Sequence, residues 1–128
     1  MFDPWQVIHQ SPHLSVCTTR LHGIQGATDG RCRIWLDDRL TAVERRCVLT
    51  HELVHVEMGH RGHQPECVEW LVRERTARLL VPWEALLARR GWEGSLWHLA
   101  EDIGVTEVVL RDRLQAASAG ERARLAGS

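Results

Sequence analysis

Hydrophobic and polar positions change period along this chain. From His13 to Arg20 they alternate, with Leu14, Val16 and Thr18 on one face and Ser15, Cys17 and Thr19 on the other, as in a half-buried strand. Arg31 to Leu36 alternates again, setting Cys32, Ile34 and Leu36 inward and Arg31, Arg33 and Trp35 outward. The Gly-rich stretch between them, from Gly23 through Asp29-Gly30, carries a turn signal. Two strands and a turn predict a small antiparallel sheet. Its Arg31 to Leu36 strand would offer an open edge to an extended peptide, or be blunted there by Arg31, Arg33 and the two aspartates that follow.

Past Leu40 the pattern is helical. Thr41-Ala42-Val43-Glu44 has the form of a capping box, in which the threonine hydroxyl and the glutamate carboxylate each satisfy a free N–H at a helix start. The helix should end near Gly59, and Val48, Leu49, Leu53, Val54, Val56 and Met58 spread round most of its circumference, so it is expected to be buried on several sides. Gly62 and Pro65 hold the next residues in a loop. Pro65 suits the first turn of a second helix running to about Leu80 and stopped by Pro82. Pro82 to Arg90 predicts a short helix closed by Gly91. Ser95 to Ile103 and Thr106 to about Ala117 predict two more around Gly104-Val105, arranged like a helix-turn-helix. Residues 1 to 12 form an irregular or briefly helical lead-in, and 118–128 a flexible tail. The expected fold is therefore α+β: one domain over 1–117, with a small antiparallel sheet packed on a helical core.

Composition narrows the function. With 128 residues and a net charge of −1, the chain has no global basic field of the kind a non-specific nucleic-acid binder needs, and no acidic tail. No apolar run approaches the roughly 20 residues that span a bilayer, and Met1-Phe2-Asp3-Pro4-Trp5 lacks the form of a signal peptide, so a cytoplasmic protein is expected. The four cysteines are scattered and read as small buried hydrophobes. The six tryptophans read as packing residues, with Trp92 and Trp97 the most exposed.

The chemistry lies in His51-Glu52-Leu53-Val54-His55. Helical residues four apart sit one above the other, so His51 and His55 can offer two nitrogens to one ion, while Glu52 stands beside it as a base for an activated water. That is the arrangement of a zinc hydrolase. A catalytic zinc takes a third protein ligand, for which Glu66, Glu69, Glu74, His60, His63 and Cys67 are available. A metzincin pattern is excluded, because it needs Gly and His where this chain has Met58 and Arg61.

Glu69-Trp70-Leu71-Val72-Arg73-Glu74-Arg75-Thr76-Ala77-Arg78-Leu79-Leu80-Val81-Pro82 is similar, at the same length, to the segment that follows the zinc motif in the ImmA/IrrE family of metallopeptidases. Agreeing with it are Ile34 in a strand, Leu49 to His55, Gly59-His60, Leu99 to Thr106 and Arg113-Leu114. The resemblance covers about residues 30 to 115. It implies a gluzincin-type zinc endopeptidase in minimal form, with Glu69 as third ligand, and a helix-turn-helix repressor, often of a phage or mobile element, as the protein substrate. Two positions depart from the family pattern: Val72 stands for Ala, and Arg73 for an Asn or Asp that steadies a ligand histidine. A cation cannot accept an imidazole N–H, so that support must come from elsewhere, which leaves either a backbone carbonyl as acceptor or a site with weakened metal affinity. There is also no tyrosine to hold an oxyanion, which leaves His60, His63 and His98 as candidates. The competing expectation is a non-proteolytic regulatory module with a structural zinc. It would bind a repressor, or bind DNA through Leu96 to Leu114 with Arg111, Arg113, Arg122 and Arg124 on phosphates. Glu101, Asp102, Glu107 and Asp112, interleaved among these arginines, oppose DNA binding.

Overall fold

A computed structural model describes residues 1–126. Helix α1 (Pro4–His9), capped by the Asp3 carboxylate on the Trp5 N–H, leads into strand β1 (Ser15–Thr19). Strands β2 (Gly26–Thr28) and β3 (Arg33–Asp37) complete a sheet in the order β1-β3-β2. The class is α+β, as the periodicities imply, but the sheet is mixed rather than antiparallel. β1 runs parallel to β3, with Val16 opposite Ile34, and only β2 is antiparallel to it, with Ala27 opposite Trp35. The Asp29-Gly30 turn joins β2 to β3, so the hairpin it closes does not include β1. Asp29 builds that turn by accepting the N–H groups of Arg31, Cys32 and Arg33, which hold its carboxyl far below the ordinary range. The strand expected to present an open edge, β3, is thus central, and the free edges are the outer sides of β1 and β2, of which β2 lies against α2. Inward Ile34 and Leu36 are fully buried, whereas Cys32 at the mouth of the turn is exposed.

Helix α2 (Ala42–Glu57) starts at the capping box: the Glu44 N–H reaches the Thr41 hydroxyl, and the Thr41 N–H reaches the Glu44 carboxylate. Helix α3 (Glu66–Leu80) packs against it after a loop, with Pro65 at its N-cap. Helices α4 (Trp83–Leu87), α5 (Leu96–Ile103) and α6 (Glu107–Ala116) follow at their expected places, α5 and α6 capped by Ser95 and Thr106. Gly104 links these two in the left-handed conformation, φ 90°. The segment expected as a tail is helical, α7 (Ala119–Ala126), with Leu125 against the core and the Arg124 guanidinium over the Trp83 ring. Gly127 and Ser128, also part of that expected tail, lie outside the described residues.

Two apolar clusters hold these elements. One joins Ile34, Leu36 and Leu40 to Leu49 and Leu53 of α2. The other joins Cys47 of α2 to Ala77, Leu80, Leu86, Leu99, Ile103 and Leu110. Helix α2 belongs to both, so its polar face is fixed where they meet. Among the described residues no helix is long and apolar enough to cross a membrane.

Candidate metal centre and its cleft

The 3.6-residue period of α2 stacks His51 and His55 on one face, with ring centroids 5.0 Å apart. Glu69, in the first turn of α3, reaches back to both: its Oε2 lies 3.5 Å from His51 Nε2, and its Oε1 3.3 Å from His55 Nε2. Ligand atoms around a tetrahedral zinc, with bonds of roughly 2.0–2.1 Å, stand about 3.4 Å apart. The three donors also lie within 4.8 Å of one another, so this group fits such an ion and could hold it. Burial lowers the pKa of both imidazoles, and for His51 the neighbouring His55 adds to the effect. Both rings therefore favour the neutral form that a ligand requires. The other third-ligand candidates do not converge: Glu66, Cys67 and His63 are exposed, and Glu74 pairs with Arg78.

Glu52 follows His51 on the helix and is buried. Desolvation, followed by the Glu69 charge, raises its carboxyl pKa to about 7. Gly26 of β2 lies directly over it. A methyl group there would collide with Val48 and touch the Glu52 side chain, so only glycine lets the free sheet edge come down on α2 at this point.

A cleft of about 560 Å³ runs from this group. Ile24 and Gly26 form one wall, Val48, His51 and Glu52 the floor, and Arg73, Val109 and Asp112 the opposite side. Helix α6, which a DNA-binding reading would place in a groove, is thus a cleft wall packed on α3. The four arginines of that reading each have a partner within the chain. Arg111 pairs with Glu107, and Arg113 is buried with its Nε on the Val81 carbonyl. Arg122 donates to the Leu114 and Gln115 carbonyls, and Arg124 covers Trp83.

None of the three histidines considered for an oxyanion lines the cleft. His98 bonds the Ser95 hydroxyl at 2.7 Å, His63 is exposed on the loop, and His60 turns its Nδ1 to the Nδ1 of His55 at 3.1 Å. The group facing the far nitrogen of the His55 ring is thus a side chain, His60. Arg73 itself forms a forked pair with Asp112, Nε to Oδ2 at 3.0 Å and Nη2 to Oδ1 at 2.5 Å, and lies against the Trp70 ring. It is the one cation lining the cleft among the described residues. Sequence reasoning missed this role, since Asp112 is 39 positions away. The scattered cysteines are mostly not buried: Cys47 is, while Cys17, Cys32 and Cys67 are exposed.

An α+β chain whose two central helices bring together two imidazoles and a carboxylate, with a second carboxyl beside them in a cleft, has the makeup of a metal-binding hydrolase domain. The chain belongs to the IrrE N-terminal-like domain family, peptidase family M78, whose model matches residues 10–115, in agreement with the resemblance carried by the Glu69 to Pro82 segment. No curated protein and no solved structure matches it.

Proposed function

We propose that this chain is a zinc-dependent endopeptidase of the cytoplasm, acting on a helix-turn-helix repressor. The observation that carries the reading is the convergence of His51, His55 and Glu69 beside the buried carboxyl of Glu52. Zinc, when bound, supplies Lewis acidity that makes a water nucleophilic near neutral pH and polarises a carbonyl. Glu52, next to His51 on the helix, takes the proton from the attacking water and passes it to the leaving amine nitrogen. The free edge of β2 holds the substrate backbone as an added strand, and Gly26 keeps that strand close to Glu52. Arg73, fixed by Asp112, replaces the three histidines as the donor facing the carbonyl oxygen. The repressor as substrate rests on what the family resemblance implies. Against the DNA-binding form of the regulatory-module alternative, Arg113 is buried, and Arg111, Arg122 and Arg124 each have a partner within the chain.

The test is incubation of the zinc-loaded protein with the repressor encoded beside it. Wild type should give fragments and Glu52→Gln none; equal cleavage by that variant would sink the catalytic assignment.

A further inference from the structure

We propose that His60 is a positioning residue of the metal centre: its ring accepts the Nδ1 hydrogen of His55 and so locks the tautomer that presents a bare Nε2 to the ion. This rests on reading His51, His55 and Glu69 as a zinc site.

Two imidazole nitrogens face each other at 3.1 Å, and such a contact is attractive only if one of them carries a hydrogen. The other nitrogen of His55, Nε2, faces Glu69 at 3.3 Å on the ligand side and must carry none to bind a cation. The shared hydrogen therefore belongs to Nδ1 of His55, and His60 is the acceptor with its own hydrogen on Nε2. Because His60 touches the far side of the His55 ring, it cannot also ligate the same ion.

The backbone builds this contact. At the exit of α2, Gly59 is left-handed, φ 72°, its N–H bonds the Val56 carbonyl at 3.1 Å, and the His60 N–H bonds the His55 carbonyl at 3.0 Å. This double closure of a helix end folds the second residue beyond the cap back onto the last turn, where an apolar pair usually meets. Here the two residues brought together are histidines. From the other side the Asp29-Gly30 turn abuts the His60 carbonyl so closely that a methyl on Gly30 would collide with it. His60 is thus held between a helix cap and the sheet, unlike exposed His63 four residues from the helix cap's glycine.

The test compares zinc affinity, by competition with a chromogenic chelator, in wild type, His60→Asn, His60→Phe and His60→Ala. Asparagine places an acceptor oxygen near the Nδ1 position, while phenylalanine keeps the ring volume without an acceptor. The expectation is that Asn stays within about threefold of wild type and that Phe and Ala lose about 10- to 100-fold. Nitrogen-15 NMR of the zinc-loaded wild type, which needs no variant, should place the His55 hydrogen on Nδ1. Wild-type affinity in His60→Phe, or a His55 hydrogen on Nε2, would overturn the role of His60 alone. A wild type that binds no zinc would overturn the metal reading and this inference together.

Discussion

Glu52 is buried, and that burial governs the titration of its carboxyl. Desolvation first, then Glu69, lifts its pKa from 4.5 to about 7. A carboxyl that holds its proton more tightly folded than unfolded costs stability as pH rises through the interval between the two values. In metal-free protein that loss should begin near 4.5, be complete a little above 7, and amount to on the order of 3 kcal/mol. Glutamine has no proton to lose. Glu52→Gln should therefore gain on wild type as pH rises, with the two nearly equal at pH 4 and furthest apart at pH 8, as urea unfolding with a chelator present would measure. A constant difference across that range would mean that Glu52 is not the titrating group. Arg73 makes the complementary point: alone in the sequence it is a departure that removes a hydrogen-bond acceptor, and only the forked contact with Asp112 shows where its charge goes.

At the scale of elements, the exit of α2 and the turn before β3 support one another, and the glycines there are not equivalent. Gly30 and Gly23 both have positive φ, 76° and 79°, but a side chain at Gly23 meets open space, whereas one at Gly30 meets the His60 carbonyl. Alanine at Gly23 should cost about 1–2 kcal/mol for the left-handed backbone alone. Alanine at Gly30 should cost roughly 2–4 kcal/mol, because a collision with backbone adds to that strain. Thermal unfolding of the two variants checks it, and equal losses would mean that the turn moves away from His60 freely. What was legible in these elements follows the strength of the local signal. Helix α2 was readable because the capping box, the His-Glu-x-x-His spacing and Gly59 agree on its ends and its face. Strand β2 was not, because Gly26-Ala27-Thr28 is too short to show a period and its glycine looks like loop. Alternation in β1 and β3 gave their faces but carries no information on direction, so the parallel pairing could not be read from it. The His60 contact escaped notice because it exists only once the cap geometry is built.

For the whole molecule, the question is what closes the C-terminal half. Arg113 is 2% exposed, an expensive place for a guanidinium, and only part of it is satisfied. Its Nε donates to the Val81 carbonyl at 2.8 Å, its Nη2 lies 3.6 Å from Glu121 on α7, and its Nη1 is without a partner among the described residues. A composition of small and polar residues suggested a flexible tail past Ala117, yet α7 brings a carboxylate toward this cation and sets Leu125 on the core. Removing residues 118–128 should therefore cost about 2–4 kcal/mol, since it strands a buried charge and uncovers apolar surface. Glu121→Gln should cost about 1 kcal/mol, because the carboxylate is partly solvated. The Ser118 N–H, then Arg113 and Arg78, hold the Glu121 carboxyl below its ordinary 4.5. Its contribution is thus present above that pH and lost on acidification, so the variant and wild type should converge as pH falls below 4.5 in urea unfolding. A truncated chain as stable as the full one would mean that water satisfies Arg113 and that α7 only rests on the fold.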